Sequence, residues 1–165
     1  MMRIILLALL STLPIISFGQ VKSLDEEYKF GPFKFGQDLS RWEDKLKGTM
    51  QISFGQDYYL YTEQDQEIFY NLKVWQVNLG FYKDKLNYVD YYFRKLDDFA
   101  FDALLEQVST DYGIPDKIID PDDKSIIETY LWREEKVMLQ LIRYSKDAND
   151  WDDRNMTVLA MELMF

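Results

Sequence analysis

The stretch WQVNLGFYKDKLNYVDYYF, residues 75–93, has the clearest strand periodicity in the chain. Apolar residues occupy every second position on both sides of the central YKDK, which is the period of a half-buried strand. The alternating positions are Trp75, Val77, Leu79 and Phe81 in the first half, and Val89, Tyr91 and Phe93 in the second. Because residues 82–85 are suited to a turn, the stretch predicts an antiparallel β-hairpin.

The segment after this hairpin predicts a helix. Asp97 and Asp98 can accept hydrogen bonds from the free amides of a first helical turn. The apolar residues that follow have the spacing of one buried helical stripe. They are Phe101, Leu104, Leu105, Val108 and Tyr112. Gly113 and Pro115 end the helix in the expected order, glycine just past the end and proline shortly after.

A first, shorter helix is predicted upstream, where Asp38 is a plausible N-cap and Gly48 a plausible C-terminal residue. Between them, Leu39, Trp42 and Leu46 fall at helical spacing. Strands are predicted over 58–62, 126–132, 137–144 and 156–165. The expected fold is α+β in the order α-βββ-α-βββ, an antiparallel sheet of about six strands with two helices packed on one face. A helix followed by strands, used twice, leaves an internal duplication open.

The N-terminus predicts a secretory signal peptide over residues 1–19. Arg3 precedes an apolar stretch over 4–16, and Ser17-Phe18-Gly19 places small residues just before a cleavage point. The alternative is a transmembrane anchor, which needs roughly 20 apolar residues. The apolar stretch here has only 13 residues. We therefore expect an exported protein of the periplasm or the extracellular medium, with no transmembrane segment after cleavage.

The rest of the chain predicts one folding unit. Residues 20–32 are mostly polar and are expected to form an extended N-terminal segment, and residues 33–165 a single α+β domain. A domain of this length can bury a core of its own, and we expect a monomer.

Composition excludes several classes of function. The 165 residues contain no cysteine and no histidine, so disulfides, thiol nucleophiles, serine–histidine triads and ordinary zinc sites are ruled out. A net charge of -10 argues against a nucleic-acid partner, because such binding depends on clustered lysine and arginine. No cofactor is indicated. Aromatic residues make up 16% of the chain and are expected to supply much of its packing.

The second half resembles a module of small exported bacterial proteins of unknown function. The motifs that carry the resemblance are the turn Phe81–Leu86, the helix end Tyr112–Pro115 and the strand end Tyr130–Trp132. The cleavage context at 18–20 is similar to that of Bacteroidota signal peptides. The helix-then-strands order also resembles the fold of β-lactamase-inhibitor proteins and small outer-membrane assembly lipoproteins. The resemblance covers about residues 75–145 and implies an interaction domain, with no functional residue assigned.

Tyrosine-rich strands supply the first candidate site. Tyrosine combines flat apolar area with a hydroxyl group, which suits recognition of a protein or a glycan. The candidate binding residues are Tyr59, Tyr91, Tyr92, Tyr130 and Trp132. The alternative is that these rings cover the sheet where helices do not.

A carboxylate on the same strand as two of these rings supplies the second candidate. Glu128 alternates with Tyr130 and Trp132, and an aromatic environment could raise the pKa of its carboxyl group. It could then act as an acid on a glycan. The alternative is a cross-strand partner for a basic residue such as Arg143.

An acidic loop supplies the third candidate, a calcium site built from oxygen ligands. The residues are Asp147, Asn149, Asp150, Asp152 and Asp153, but their spacing does not fit a calcium-binding EF-hand loop. The alternative is a solvated loop.

Together these features favour an exported binding domain without enzymatic activity, acting on a protein or glycan partner. The alternative function is a small carboxylate-dependent enzyme acting on a glycan.

Overall fold

The structure is a computed structural model that describes residues 21–26, 28–52, 55–63, 68–146 and 155–164. Twelve strands and one α-helix lie in these ranges. The first six strands are β1 (Lys29–Phe30), β2 (Phe33–Lys34), β3 (Leu46–Ile52), β4 (Gln56–Tyr61), β5 (Ile68–Phe69) and β6 (Leu72–Lys73). The remaining elements are β7 (Gln76–Tyr82), β8 (Lys85–Arg94), α1 (Asp98–Tyr112), β9 (Asp116–Ile118), β10 (Ile126–Arg133), β11 (Val137–Tyr144) and β12 (Met156–Leu163).

Eight of the strands form one antiparallel sheet in the order β3-β4-β7-β8-β12-β11-β10-β9. This order consists of two four-stranded meanders that meet where β8 pairs with β12. The helix α1 leads from the central strand β8 to the edge strand β9. The pairs β1-β2 and β5-β6 form two small separate hairpins.

The expected fold class is wrong. The chain is mostly β, with one α-helix among the described residues and an eight-stranded sheet where two helices on about six strands were expected. The predicted first helix is replaced by two 3-10 turns, Leu39–Arg41 and Glu43–Lys45, after which β3 begins. Asp38 makes no capping bond with its side chain. It instead accepts a hydrogen bond from Lys85 Nζ at 2.6 Å, so a long-range ion pair has replaced the local cap.

Gly48 has a different role from the one predicted. Its φ is +62°, and it lies inside β3 where the register to β4 shifts between Lys47 and Met50. A left-handed glycine therefore serves a strand irregularity here and not a helix end.

The central hairpin and the helix α1 are confirmed. Lys83 and Asp84 have φ of 50° and 59°, the left-handed values of a tight two-residue hairpin turn. Asp97 caps α1 by accepting a hydrogen bond from the Ala100 amide at 2.8 Å. Gly113, with φ of 85°, follows the last helical residue. The strands predicted at 58–62, 126–132, 137–144 and 156–165 also form, as β4, β10, β11 and β12.

One face of the sheet, here called the core face, is covered by α1 and the N-terminal segment. Phe101, Leu104 and Val108 of α1 are fully buried there. Tyr91 of β8 is the centre of an aromatic cluster: its ring stacks on Phe69 at 4.0 Å and meets Phe30 edge-on at 5.3 Å. The N-terminal segment is therefore part of the core. Among the described residues, no helix is long and apolar enough to cross a bilayer.

The N-terminal segment is fastened to the β10–β11 turn by reciprocal hydrogen bonds. The carboxylate of Glu134 accepts from Ser23 Oγ, the Leu24 amide and the Asp25 amide at 2.8, 3.1 and 3.0 Å. In return, Asp25 accepts from the backbone amides of Lys136 and Val137. The hydrogen bond from the Asp25 amide is the main cause that holds the pKa of Glu134 below its ordinary value. Two carboxylates thus place Leu24 in the core.

Glu134→Ala removes three acceptor contacts at once, so we expect a loss of about 1–2 kcal/mol in the free energy of unfolding. Because the bonds of residues 23–25 are lost, the amides of Leu24 and Asp25 should also exchange with solvent faster. Urea unfolding and amide hydrogen exchange measure the two effects. Glu135→Ala, at the neighbouring exposed position, is the matched control. Equal stability of the two variants would contradict the assignment.

Candidate functional site

The second face of the sheet, here called the polar face, carries tyrosines, amides and two carboxylates at its centre. Strand register places these side chains on one side of β4, β7, β8, β11 and β12. They are Gln56, Tyr58, Gln76, Asn78, Tyr88, Asp90, Tyr92, Gln140 and Glu162. The described contacts of α1 and of the N-terminal aromatic residues lie on the core face. The polar face is therefore the candidate functional surface.

A row of side chains runs across the strands at the centre of this face. Tyr58 lies opposite Gly80, Gly80 opposite Tyr88, and Tyr88 opposite Glu162. Gly80 leaves room for the Tyr58 ring: a Cβ there would lie 3.2 Å from that ring and 2.8 Å from Tyr88 Cβ. The Tyr58 and Tyr88 rings meet edge to face, with centroids 5.1 Å apart. A glycine in the middle strand thus brings two tyrosines together beside a carboxylate.

Hydrogen bonds connect this row to its neighbours. Tyr58 Oη donates to Gln56 Oε1 at 3.1 Å, and Gln56 Nε2 donates to Glu162 Oε1 at 3.4 Å. Burial, followed by the negative charges of Glu162 and Asp90, raises the pKa of Tyr58 to about 12. The Tyr58 hydroxyl is therefore a donor at every physiological pH.

Asp90 lies at the centre of the polar face and is only 3% exposed. Its Oδ1 accepts a hydrogen bond from the backbone amide of Asn78 at 3.0 Å. Burial raises the pKa of Asp90 to about 7, although hydrogen bonds from Asn78, Tyr88 and Tyr92 act in the opposite direction. A carboxyl group in this setting changes charge near neutral pH, as functional carboxyl groups often do.

The structure divides the predicted aromatic residues between the two faces. Tyr92 lies on the polar face, opposite Gln76 and Val158. Tyr91 is 0% exposed and Trp132 is 3% exposed, so both belong to the core and not to an exposed binding surface. Tyr59 and Tyr130 are partly buried and pack against the same core. The alternative, that the rings cover the sheet where helices do not, does not describe Tyr130 and Trp132, because Tyr130 packs on Phe101 of α1 and Trp132 bonds to Gly113 at its end.

Glu128 lies on the core face and is paired, as the alternative interpretation predicted. Lys117 Nζ lies 2.5 Å from Glu128 Oε2, Tyr130 Oη donates to the same oxygen at 3.0 Å, and Arg143 approaches the other oxygen at 3.6 Å. Burial raises the pKa of Glu128, but the hydrogen bonds and positive charges outweigh it, and the pKa lies below its ordinary value. The expected raised pKa is wrong, because the strand partners are basic.

The acidic loop with Asp147, Asn149, Asp150, Asp152 and Asp153 lies outside the described residues. Within the ranges that the structure describes, no group of three or more acidic side chains is placed to hold a metal ion.

The sequence analysis predicted neither Asp90 nor Glu162 as a site residue, and it did not place Tyr58 and Tyr88 beside them. Alternation alone places Tyr88, Asp90 and Tyr92 on the same side of β8, opposite Val89 and Tyr91, so a lone acid between two tyrosines was a usable sign. Glu162 could not be added, because the pairing of β12 with β8 is long-range.

Asp90→Asn tests the buried carboxyl group, since asparagine keeps an acceptor for the Asn78 amide but does not ionise. The raised pKa means that neutral Asp90 contributes stability which is fully present below about pH 4 and lost as the pH rises through about 7. Between about pH 4 and pH 8, the free energy of unfolding of the variant should therefore rise relative to that of the native chain by on the order of 3 kcal/mol. Urea unfolding followed by tryptophan fluorescence at a series of pH values measures this difference.

The difference between the two chains is informative because Asp123, Glu128 and Glu134 have lowered pKa values. They stabilise the fold at higher pH and would mask Asp90 in the native profile alone. Asp116→Asn changes an exposed position on the edge strand β9 and is the matched control. Its free energy of unfolding should follow the same pH dependence as that of the native chain. A difference between Asp90→Asn and the native chain that stays constant with pH would contradict the burial of this carboxyl group.

The chain matches no protein-family model, no curated protein and no solved structure. A fold by itself does not determine function, so the side chains of the polar face are the basis for a functional proposal.

Proposed function

We propose that this protein is an exported binding domain that recognises a partner protein through the polar face of its sheet. The observation that carries the proposal is the difference in composition between the two faces of the sheet. The core face holds the covering helix and the aromatic cluster, whereas the polar face collects tyrosines, amides and carboxylates that a core does not need.

The composition of the polar face supports recognition. Tyrosine is enriched at protein interfaces because it buries a large area and still offers a hydroxyl group. Here Tyr58 and Tyr88 are held against each other at 5.1 Å, so little ring freedom remains to be lost on binding. Leu60, 39% exposed, adds apolar area on the same face.

The alternative function, a carboxylate-dependent enzyme acting on a glycan, depended on Glu128 as an acid. The ion pairs of Glu128 with Lys117 and Arg143 keep that carboxyl group ionised. Asp90 has a pKa in the useful range, but it is too deeply buried to reach a substrate. We therefore do not propose a catalytic role.

A photo-crosslinking amino acid at position 60 tests the proposal in the producing cells. Leu60 is exposed on the polar face, and replacing it removes no hydrogen bond of the Gln56, Tyr58 and Glu162 network. We expect one protein of defined mass to become crosslinked at this position, because the partner must cover the face.

The matched control carries the same amino acid at position 99, where Phe99 is 84% exposed on α1. This position should give no such product. If both positions give the same products, or neither gives one, the polar face is not the binding surface.

A further inference from the structure

Carboxylates beside aromatic rings recur in this fold, and a basic side chain of the chain itself completes each of three such sites. Lys117 lies 2.5 Å from Glu128 and 5.1 Å from the Tyr130 ring centre. Lys22 lies 3.2 Å from Asp111 and 5.8 Å from the Tyr112 ring.

The third site is completed by Arg143. Its guanidinium group pairs with Asp98 and lies 4.8 Å from the Phe101 ring centre. In all three cases the cation gains from a carboxylate and from the negative face of a ring together.

Glu162 also lies beside aromatic rings, as the carboxylates of these three sites do, but no basic side chain of the described residues completes its site. It lies directly opposite Tyr88, whose ring packs against Tyr58. After burial, its negative charge is one of the causes that raise the pKa of both tyrosines. Among the described residues, no lysine or arginine forms an ion pair with Glu162.

The basic residue on the same row does not fill this position. Arg133 lies two strands away, and its Nη2 contacts the sulfur of Met138 at 3.6 Å. Glu162 is partly exposed, so a group from outside can reach it. The neutral amide of Gln56, at 3.4 Å, offers a long hydrogen bond that a cation would improve upon.

We propose that the row of Tyr58, Tyr88 and Glu162 binds the cationic end of a lysine or arginine side chain of a partner protein. This inference rests on the proposed function and names the chemistry of its partner. The net charge of -10 agrees with it, because an acidic protein attracts a basic partner over a distance. Asp90, beneath the same face, adds a second negative charge once it ionises.

Two pairs of capped tripeptides test the inference on the full mature protein. One pair is glycyl-arginyl-glycine and its neutral citrulline analogue, and the other is glycyl-lysyl-glycine and its acetyl-lysine analogue. In NMR titrations, the charged member of at least one pair should bind about fivefold more tightly than its neutral analogue. The ring signals of Tyr58 and Tyr88 should shift during that titration.

Glu162→Gln should lower the affinity for the charged peptide by about fivefold, because it keeps the shape and removes the charge. Glu106→Gln, at an exposed position on α1, is the matched control and should bind as the native chain does. Unfolding curves show that each variant is folded. The inference is overturned if neither charged peptide is preferred, or if Glu162→Gln binds as well as Glu106→Gln.

The two proposals fail in different ways. Crosslinking at position 60 together with no preference for charged peptides would keep the binding face and reject the cation. Failure of both experiments would reject the face itself.

Discussion

The structure depends on the pairing of β12 with β8, which returns the C-terminal strand to the middle of the sheet. The paired residues run from Met156 opposite Arg94 to Glu162 opposite Tyr88. This contact turns two four-stranded meanders into one sheet and gives it two continuous faces. On one face it seats Leu159 beside Tyr91 in the core. On the other it brings the carboxylate of Glu162 on β12 to the tyrosines of β8, so both the core and the candidate site follow from one pairing.

The two faces meet opposite physical demands. The core face is filled by rings from distant parts of the chain, since a protein without cysteine has no disulfide to stabilise it. Phe69 stacked on Tyr91 shows how a short hairpin is recruited for that purpose. On the polar face, hydrogen bonds among Gln56, Tyr58 and Glu162 keep side chains in place that packing alone would not hold. A polar surface held in place in this way loses little conformational entropy when a partner binds it.

Local patterns predicted the β7–β8 hairpin and α1, because alternation, turn residues and caps act within a few positions. The helix predicted after Asp38 is absent, and the backbone there is bonded to the distant hairpin instead: Asp38 forms a β-bridge with Lys85, and the Leu39 amide donates to the Asp84 carbonyl. Only part of the candidate site could be predicted from the sequence. Alternation places Tyr91 with Val89 and Phe93 on the buried side of β8, which argues against Tyr91 as an exposed binding residue. Glu162 joins the site through strand order, which a single sequence does not reveal.

If one face of the sheet is a closed core and the other is open to solvent and to a partner, two adjacent residues must differ in solvent access. Hydroxyl-radical footprinting, with residue-level mass spectrometry, reports the solvent access of the Tyr91 and Tyr92 rings in the folded protein. Tyr92 should be oxidised while Tyr91 stays protected, and both should react equally in urea. Equal oxidation of the two rings in the folded protein would contradict it.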